Sequence, residues 1–479
     1  MLLAGAVVVL AAPAWAQTAQ GWPQFQGGPA HTGAVPAGPQ PAYRVAWTAP
    51  RSLGGPRDAY GLSSPVIIGE LAIAVGPEEV VAVDVATGEV AWTVRRALGP
   101  SVPPAVGPSG GDELVVYTEG WGSGPPDQSP SATPSGTSSS PSVSPSPSPG
   151  AEAAATSRLV AVSLQTQERA WRVDLPDVSR TGVSLDATTA YVGTNDGAVT
   201  AVDLATGDVR WTGQAGGYLE SPLAVGDGLV LASVRGTSSS AMKLVALRVE
   251  DGSQAWTYAP ATASVVGGAP TIFEGTAYVA LADSTVRAVA LDSGVQRWLA
   301  RLNSYVIGAS PVVVDGGVIV ADNRGQVYRL DAATGARVWD FALNVTVLRT
   351  APVAIGEVLA LATTDGELTV FDLATGDLVW RSQVADAPVR GLAVGADTLV
   401  AVRAGTGAGL FGLTNDPAGA LVRVQSPTIL EPVVLFGGWA LAAVPLVLGL
   451  FLLGRNMWAR LGVPQFSTGE DDLAGEDDE

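Results

Sequence analysis

Few of the side chains that carry covalent chemistry are present. There is no cysteine, which removes thiol nucleophiles, thiolate zinc sites, disulfides and c-type haem attachment together. The single histidine, His31, excludes multi-histidine metal sites, and any serine–histidine–carboxylate triad would have to use that one residue. Paired glycines such as Gly110-Gly111 stand without the strand, loop and Lys-Ser/Thr that a phosphate cradle requires. Asn344-Val345-Thr346 matches an N-glycosylation triplet, a pattern common by chance. No residue qualifies as catalytic, cofactor-binding or metal-ligating.

The carboxylates that do recur are turn residues. One phrase runs from Val80 through Asp84, Thr87 and Gly88 to Trp92 and returns as Val199–Trp211, with Asp203, Thr206 and Gly207. Further copies are Val327–Trp339 (Asp331, Thr334, Gly335) and Leu368–Trp380 (Asp372, Thr375, Gly376). Weaker copies end at Trp171, Trp256 and Trp298, and an eighth, Leu410–Arg423, has Arg423 where tryptophan is expected. In such a phrase Asp and Thr accept turn amides and Gly takes a positive φ. The tryptophan falls on the returning strand, where its ring can fill the gap to a neighbouring unit. These motifs are therefore read as architecture, not as catalysis.

The elements that carry the phrase define the fold. Tryptophans at 171, 211, 256, 298, 339 and 380 recur every 40–45 residues, the period of a propeller or solenoid. Helical periodicity is absent from the repeats. The sixth reads as β runs at 309–314, 317–321, 326–330 and 337–341, with a second hairpin signal at Asn323-Arg324-Gly325. Asn195-Asp196-Gly197 and Thr364-Asp365-Gly366 occupy the same place in other repeats. Four strands per repeat make a propeller blade. The expectation is an all-β propeller over 43–425 with eight blades, or alternatively seven. The half-copy Tyr43-Arg44-Val45-Ala46-Trp47 should complete the last blade and supply its missing tryptophan.

The Asp-x-x-Thr-Gly-x-x-x-Trp phrase resembles the pyrroloquinoline-quinone-like propeller repeat over roughly 21–425. The arm Gly21–Gly28 with His31-Thr32-Gly33, inside the 17–42 segment, is similar to that family's lead-in. The resemblance implies either a quinone-dependent dehydrogenase or a non-enzymatic propeller akin to the bacterial outer-membrane assembly factor. The enzymatic branch uses a vicinal disulfide and a calcium-bound cluster with a catalytic aspartate. Neither is found here, so the resemblance points to the non-catalytic branch, with no cofactor.

Composition and the two ends set the expected location. The 479 residues carry a net charge of -19, which disfavours nucleic acid. Residues 1–16 end in Ala14-Trp15-Ala16 after a run spanning only ~16 Å as a helix, and read as a signal peptide. Residues 432–454 are free of charge, would span ~35 Å as a helix, and are followed by Arg455 and Arg460. They read as one transmembrane helix with an acidic cytoplasmic tail at 455–479. The Ser/Pro-rich stretch 121–157 reads as a disordered insertion within a blade, open to O-glycosylation. The expectation is a monomeric scaffold on the external side of a bacterial cell membrane, binding an envelope protein or polymer. The alternatives are a quinone-dependent oxidoreductase or a sensor with a cytoplasmic partner.

Overall fold

The second and third strands of the repeats are rich in Val, Leu, Ala and Tyr, and in second strands such as Thr189–Gly193 and Val358–Ala362 every residue is buried. Strands covered on both faces read this way. The outer strands alternate instead: Val209–Gln214 and Gln296–Arg301 bury every second residue from their tryptophan onward. One half-exposed edge strand per repeat, outside fully covered ones, is the layout of blades packed side by side.

The computed structural model describes residues 21–49, 61–120, 157–235, 242–260, 268–306, 308–343, 350–404 and 409–419. They form eight sheets whose blade strands pair antiparallel, which are the eight blades of a propeller. In blade order, the innermost strands are Val66–Ile68, Ala105–Ser109, Val183–Leu185, Ala224–Gly226, Thr271–Phe273, Val312–Val314, Val353–Ile355 and Val389–Val394. The outer strands are Val90–Arg95, Arg169–Leu175, Val209–Gln214, Gln254–Tyr258, Gln296–Arg301, Arg337–Ala342, Leu378–Gln383 and, for blade 8, Tyr43–Thr48. Tyr43–Thr48 pairs antiparallel with Gly409–Asn415 and places Trp47 opposite Gly412, so the N-terminal strand closes the last blade as its sequence implies. One buried apolar cluster joins blades 7, 8 and 1, and six more join each remaining neighbour to the next.

The repeated phrase acts between blades. In each outer strand the register shifts at the residue before the tryptophan, a bulge that turns the indole towards the following blade. There it lies against the glycine of the next Asp-x-x-Thr-Gly turn. Trp47 covers Gly88, Trp171 covers Gly207, Trp211 covers Gly252, Trp256 covers Gly294, Trp298 covers Gly335 and Trp339 covers Gly376, and a Cβ on any of these glycines would come within 2.8 Å of the indole side chain. Each of these indoles also donates its N–H to a carbonyl of that turn: Val85, Leu204, Val249, Leu291, Ala332 and Leu373 in order. The aspartates serve the turns. The Oδ1 of Asp84 accepts the Thr87 hydroxyl and the amides of Thr87 and Ala86, and these bonds, the hydroxyl first, hold its pKa below the usual carboxylate range.

Blade 1 meets blade 2 differently. Gln167 stands at φ 57 where the other turns have glycine, and its side-chain amide donates to Leu164 O, the acceptor an incoming indole would use. Trp92 accordingly has no partner for its buried indole nitrogen among the described residues. Arg96 bridges this seam instead, donating to the carbonyls of Gly76, Gly99, Pro100 and Thr118; its burial lowers its pKa to about 10.

The first of two compact units, Met1–Ser426, contains all described residues. The expected signal peptide (1–16), the acidic tail (455–479), the glycosylation triplet at 344–346 and most of the 121–157 insertion lie outside the described residues. Ser157 is the first residue of the third strand of blade 2. The expected membrane helix at 432–454 also lies outside them, and among the described residues no helix is long and apolar enough to cross a membrane.

Candidate functional site

The N-terminal arm occupies the axis of the ring. Trp22 exchanges backbone hydrogen bonds with Ile67 of blade 1, and Pro23 O accepts from Val106 of blade 2. Gln24 reaches blade 3, its Oε1 accepting from the Leu185 amide at 2.9 Å and its Nε2 donating to Leu185 O at 3.1 Å. Pro29 O, Ala30 O, Thr32 O and Gly33 O then accept from Val225, Ile272, Val313 and Ala354 of blades 4 to 7. The arm finishes with Ala34–Val35 as a parallel strand on blade 7. It therefore visits blades 1 to 7 in order and meets the innermost strand of each at equivalent positions. Innermost strands have a free edge, and the arm satisfies those edges from within.

His31 belongs to this belt. It is fully buried, packs edge-on to Phe25 at 5.2 Å, and places Nδ1 3.1 Å from Pro270 O. A carbonyl only accepts, so the proton sits on Nδ1. Burial lowers the imidazole pKa to about 4, and the Pro270 contact opposes this more weakly. The residue that any histidine-dependent triad would need is thus neutral, out of solvent and bonded to backbone.

The blades have two unlike faces. The loop face carries the connections between blades and the hairpins joining second to third strands. On the axis at this face, Trp22, Phe25 and Gln26 of the arm line a pocket of about 30 Å³ with Ser64, Pro65 and Gly391. That volume holds a water or two. A tricyclic quinone with calcium needs a far larger cradle and a set of clustered carboxylates. Among the described residues no group of three or more His, Cys, Asp or Glu could hold a metal ion. The residues lining this loop-face pocket therefore do not fit the quinone–calcium group that the fold family implies.

The opposite, turn face is made by the hairpins from first to second strand and by the Asp-Thr-Gly turns. Each of the eight inner hairpins carries a carboxylate at or beside its turn: Glu70, Asp112, Asp186, Asp227, Glu274, Asp315, Glu357 and Asp397, six of them exposed. None of these turns contains Lys or Arg. Inside this ring, beside the arm, lies an open pocket of about 190 Å³. Pro23, Pro29, Ile68, Val106, Pro108 and Leu185 supply apolar walls, and Glu113 and Asp186 supply the rim. Asp186 is held in place, its Oδ1 accepting the amides of Thr188 and Thr189 and its Oδ2 the Tyr191 hydroxyl at 2.6 Å. Glu113 has its pKa raised, first by desolvation and then by the Asp112 charge.

Neither the belt nor the carboxylate ring is named by motif reasoning. A signal for the ring exists, since an acidic residue recurs in the hairpin before the second strand of every repeat. The belt has no such signal, because each of its partners comes from a different blade.

The comparisons with known proteins agree with this architecture. The family model for the outer membrane protein assembly factor BamB matches residues 155–304 and 261–407. Among solved structures, BamB from Moraxella catarrhalis is 17% identical, with 79% of this chain and 99% of that chain covered at a TM-score of 0.54. A europium-containing methanol dehydrogenase is 12% identical over 81% of this chain and 90% of its own, at a TM-score of 0.57. A quinohemoprotein alcohol dehydrogenase, ADHIIG from Pseudomonas putida HK5, is 12% identical over 85% and 82%, at 0.59. At these identities the likeness carries the fold alone. No curated protein matches the chain by sequence.

Proposed function

From the premise that this chain belongs to the PQQ-like β-propeller family of the assembly factor BamB, we propose that it is a non-enzymatic protein-interaction scaffold of the bacterial cell envelope. The observation that carries this reading is the filled axis. The arm bonds to the innermost strands of blades 1 to 7 along the axis, which favours binding on the two faces and the outer edges over binding in a central channel. A rigid toroid with a polar periphery presents such surfaces without moving. The charge-free 432–454 run, flanked by Arg455 and Arg460, supports tethering with the propeller on the external side. The family model itself describes an assembly factor, which supports a protein partner over a small substrate.

Photo-crosslinking in intact cells tests the proposal. The chain has one lysine, Lys243, so amine-reactive reagents have little to hold, and a photo-reactive residue is placed singly on the loop face (Ser64), the turn face (Ala187) and an outer strand (Val209). A discrete envelope-protein adduct from at least one site is expected. Absence of adducts from all three, together with quinone absorbance that co-purifies after incubation with quinone and calcium, would establish the dehydrogenase reading instead.

A further inference from the structure

We infer that the turn-face pocket is a docking site for an exposed aromatic side chain flanked by arginine or lysine on another protein; this rests on the scaffold reading and names the surface used. Three features of the pocket lead there. The first is size and lining. About 190 Å³ bounded by prolines, Ile68, Val106 and Leu185 exceeds the ~150 Å³ cavity that accepts benzene. A Cβ built on Gly28, at the pocket edge, meets no atom within 4 Å, so the wall beside the arm is open. The second is the rim. Glu113 and Asp186 stand at the pocket itself, and the hairpin carboxylates extend the same sign around the axis; no Lys or Arg stands in those turns, and the arginines that reach them, Arg210, Arg297 and Arg329, are engaged with hairpin hydroxyls and carbonyls. The third is the crowding at Glu113, whose carboxylate is already pressed by its desolvation and by Asp112, so that a cation beside it is welcome.

This charge pattern selects among occupants. Anionic lipid headgroups and phosphates are repelled. A second copy of the chain meeting this face with its own turn face presents the same carboxylates and is repelled as well. An apolar segment without charge gains the pocket but not the long-range field. A basic segment with no large side chain gains the field and leaves the pocket wet. A large apolar side chain between cations satisfies both, and an aromatic ring, which the volume accommodates, buries the most area there.

The test uses the full-length chain and fluorescence anisotropy with three labelled synthetic peptides: Gly-Arg-Arg-Phe-Arg-Arg-Gly, its Phe→Ala form, and its form with all arginines changed to Glu. The Phe peptide should bind, and the Ala form should bind about tenfold or more weaker, the worth of one buried aromatic ring. The Glu form should not bind. Raising salt from about 10 mM to about 150 mM, which cuts the Debye length from ~30 to ~8 Å, should weaken the Phe peptide markedly. Two exposed positions then locate the site. Glu113→Lys should weaken binding and flatten the salt response, while Ala187→Trp, which fills the pocket, should abolish the difference between Phe and Ala peptides. Circular dichroism confirms that both variants keep the fold.

The inference is overturned if the Phe peptide fails to bind at low salt, or if Phe and Ala peptides bind alike. It is equally overturned if neither variant changes binding, or if a free aromatic amine saturates the pocket as tightly as the peptide. Discrete crosslinks from Ser64 and none from Ala187 would leave the scaffold reading standing and remove this one.

Discussion

Blade 5 holds two glycines with nearly the same backbone and opposite surroundings, and substituting each by alanine separates two roles. Gly275, in the hairpin from first to second strand, has φ +66, and a Cβ there meets nothing within 4 Å. Gly294, in the Asp-Ser-Gly turn, has φ +70, and its Cβ would stand 2.8 Å from Trp256 Cδ2. Left-handed backbone costs alanine about 1–2 kcal/mol at either site, offset in part by ~0.4–1 kcal/mol because alanine also restricts the unfolded chain. Gly275→Ala should therefore lose about 1 kcal/mol. At Gly294 the new carbon lies roughly 1 Å inside the optimal carbon–carbon separation. Trp256 cannot simply retreat, since its indole N–H donates to Leu291 O at 2.7 Å and its ring packs in the apolar cluster between blades 4 and 5. Overpacking of this kind adds about 1–3 kcal/mol, so Gly294→Ala should lose ~2–4 kcal/mol. Urea denaturation followed by far-ultraviolet circular dichroism reads both as midpoint shifts at constant slope. Repeating the pair in a Trp256→Ala background should bring the two losses together, because the ring that the added methyl group would strike is gone. Equal losses in the native background, or a difference that survives removal of Trp256, would refute the claim that this glycine exists to receive the indole.

Three further outcomes follow from the same geometry. Trp211→Phe strands Val249 O and should cost about 1–3 kcal/mol of hydrogen-bond satisfaction beyond lost area, whereas Trp92→Phe strands nothing and should be milder in the same denaturation assay. Gln24→Ala removes both bonds to Leu185 and should cost about 2 kcal/mol, with earlier proteolytic cleavage of the arm as the second readout. For His31 the folded pKa, about 4, lies below the ordinary 6.5, so the unfolded chain takes up the proton first as pH falls. Stability from this residue is complete above pH 6.5 and declines by about 3 kcal/mol towards pH 4. His31→Asn should remove that part of the decline in denaturation curves taken between pH 7 and pH 4, and an unchanged decline would refute the assignment.

The blades were legible because their instructions are local. Asp, Thr, Gly and Trp of one phrase act within some forty residues, and even the docking partner of a given indole is the corresponding glycine one repeat on. Trp47 is the informative exception: its strand pairs with residues nearly four hundred positions away, yet the vacancy at Arg423 marks where a tryptophan was wanted. For the sixth blade, the run expected from 309 begins at Val312, because Pro311 lacks an amide for the ladder. The arm offered no comparable clue. Its side chains follow no period, and most of its bonds are made by carbonyls, which every residue possesses. The pocket on the turn face was equally hidden, since its walls come from the arm and three blades and its depth depends on where the arm passes.

The arm also explains how a ring of near-identical blades acquires a fixed start and finish. Hairpins within a blade close short loops and can form early. The arm cannot be seated until the innermost strands of blades 1 to 7 stand around a common axis, and Tyr43–Thr48 cannot pair until Gly409–Asn415 has been made. Both events close long loops, whose entropy is compensated only when many contacts form together. The arm and the strand after it thus complete the last steps of assembly, gripping the toroid from the axis through Trp22–Val35 and from the rim through Trp47. The same placement ties architecture to function: the segment that seals the inner edges also builds one wall of the turn-face pocket, so a docked partner would press on the element that holds the ring together. Binding there and closure of the ring are then linked, and each stabilises the other.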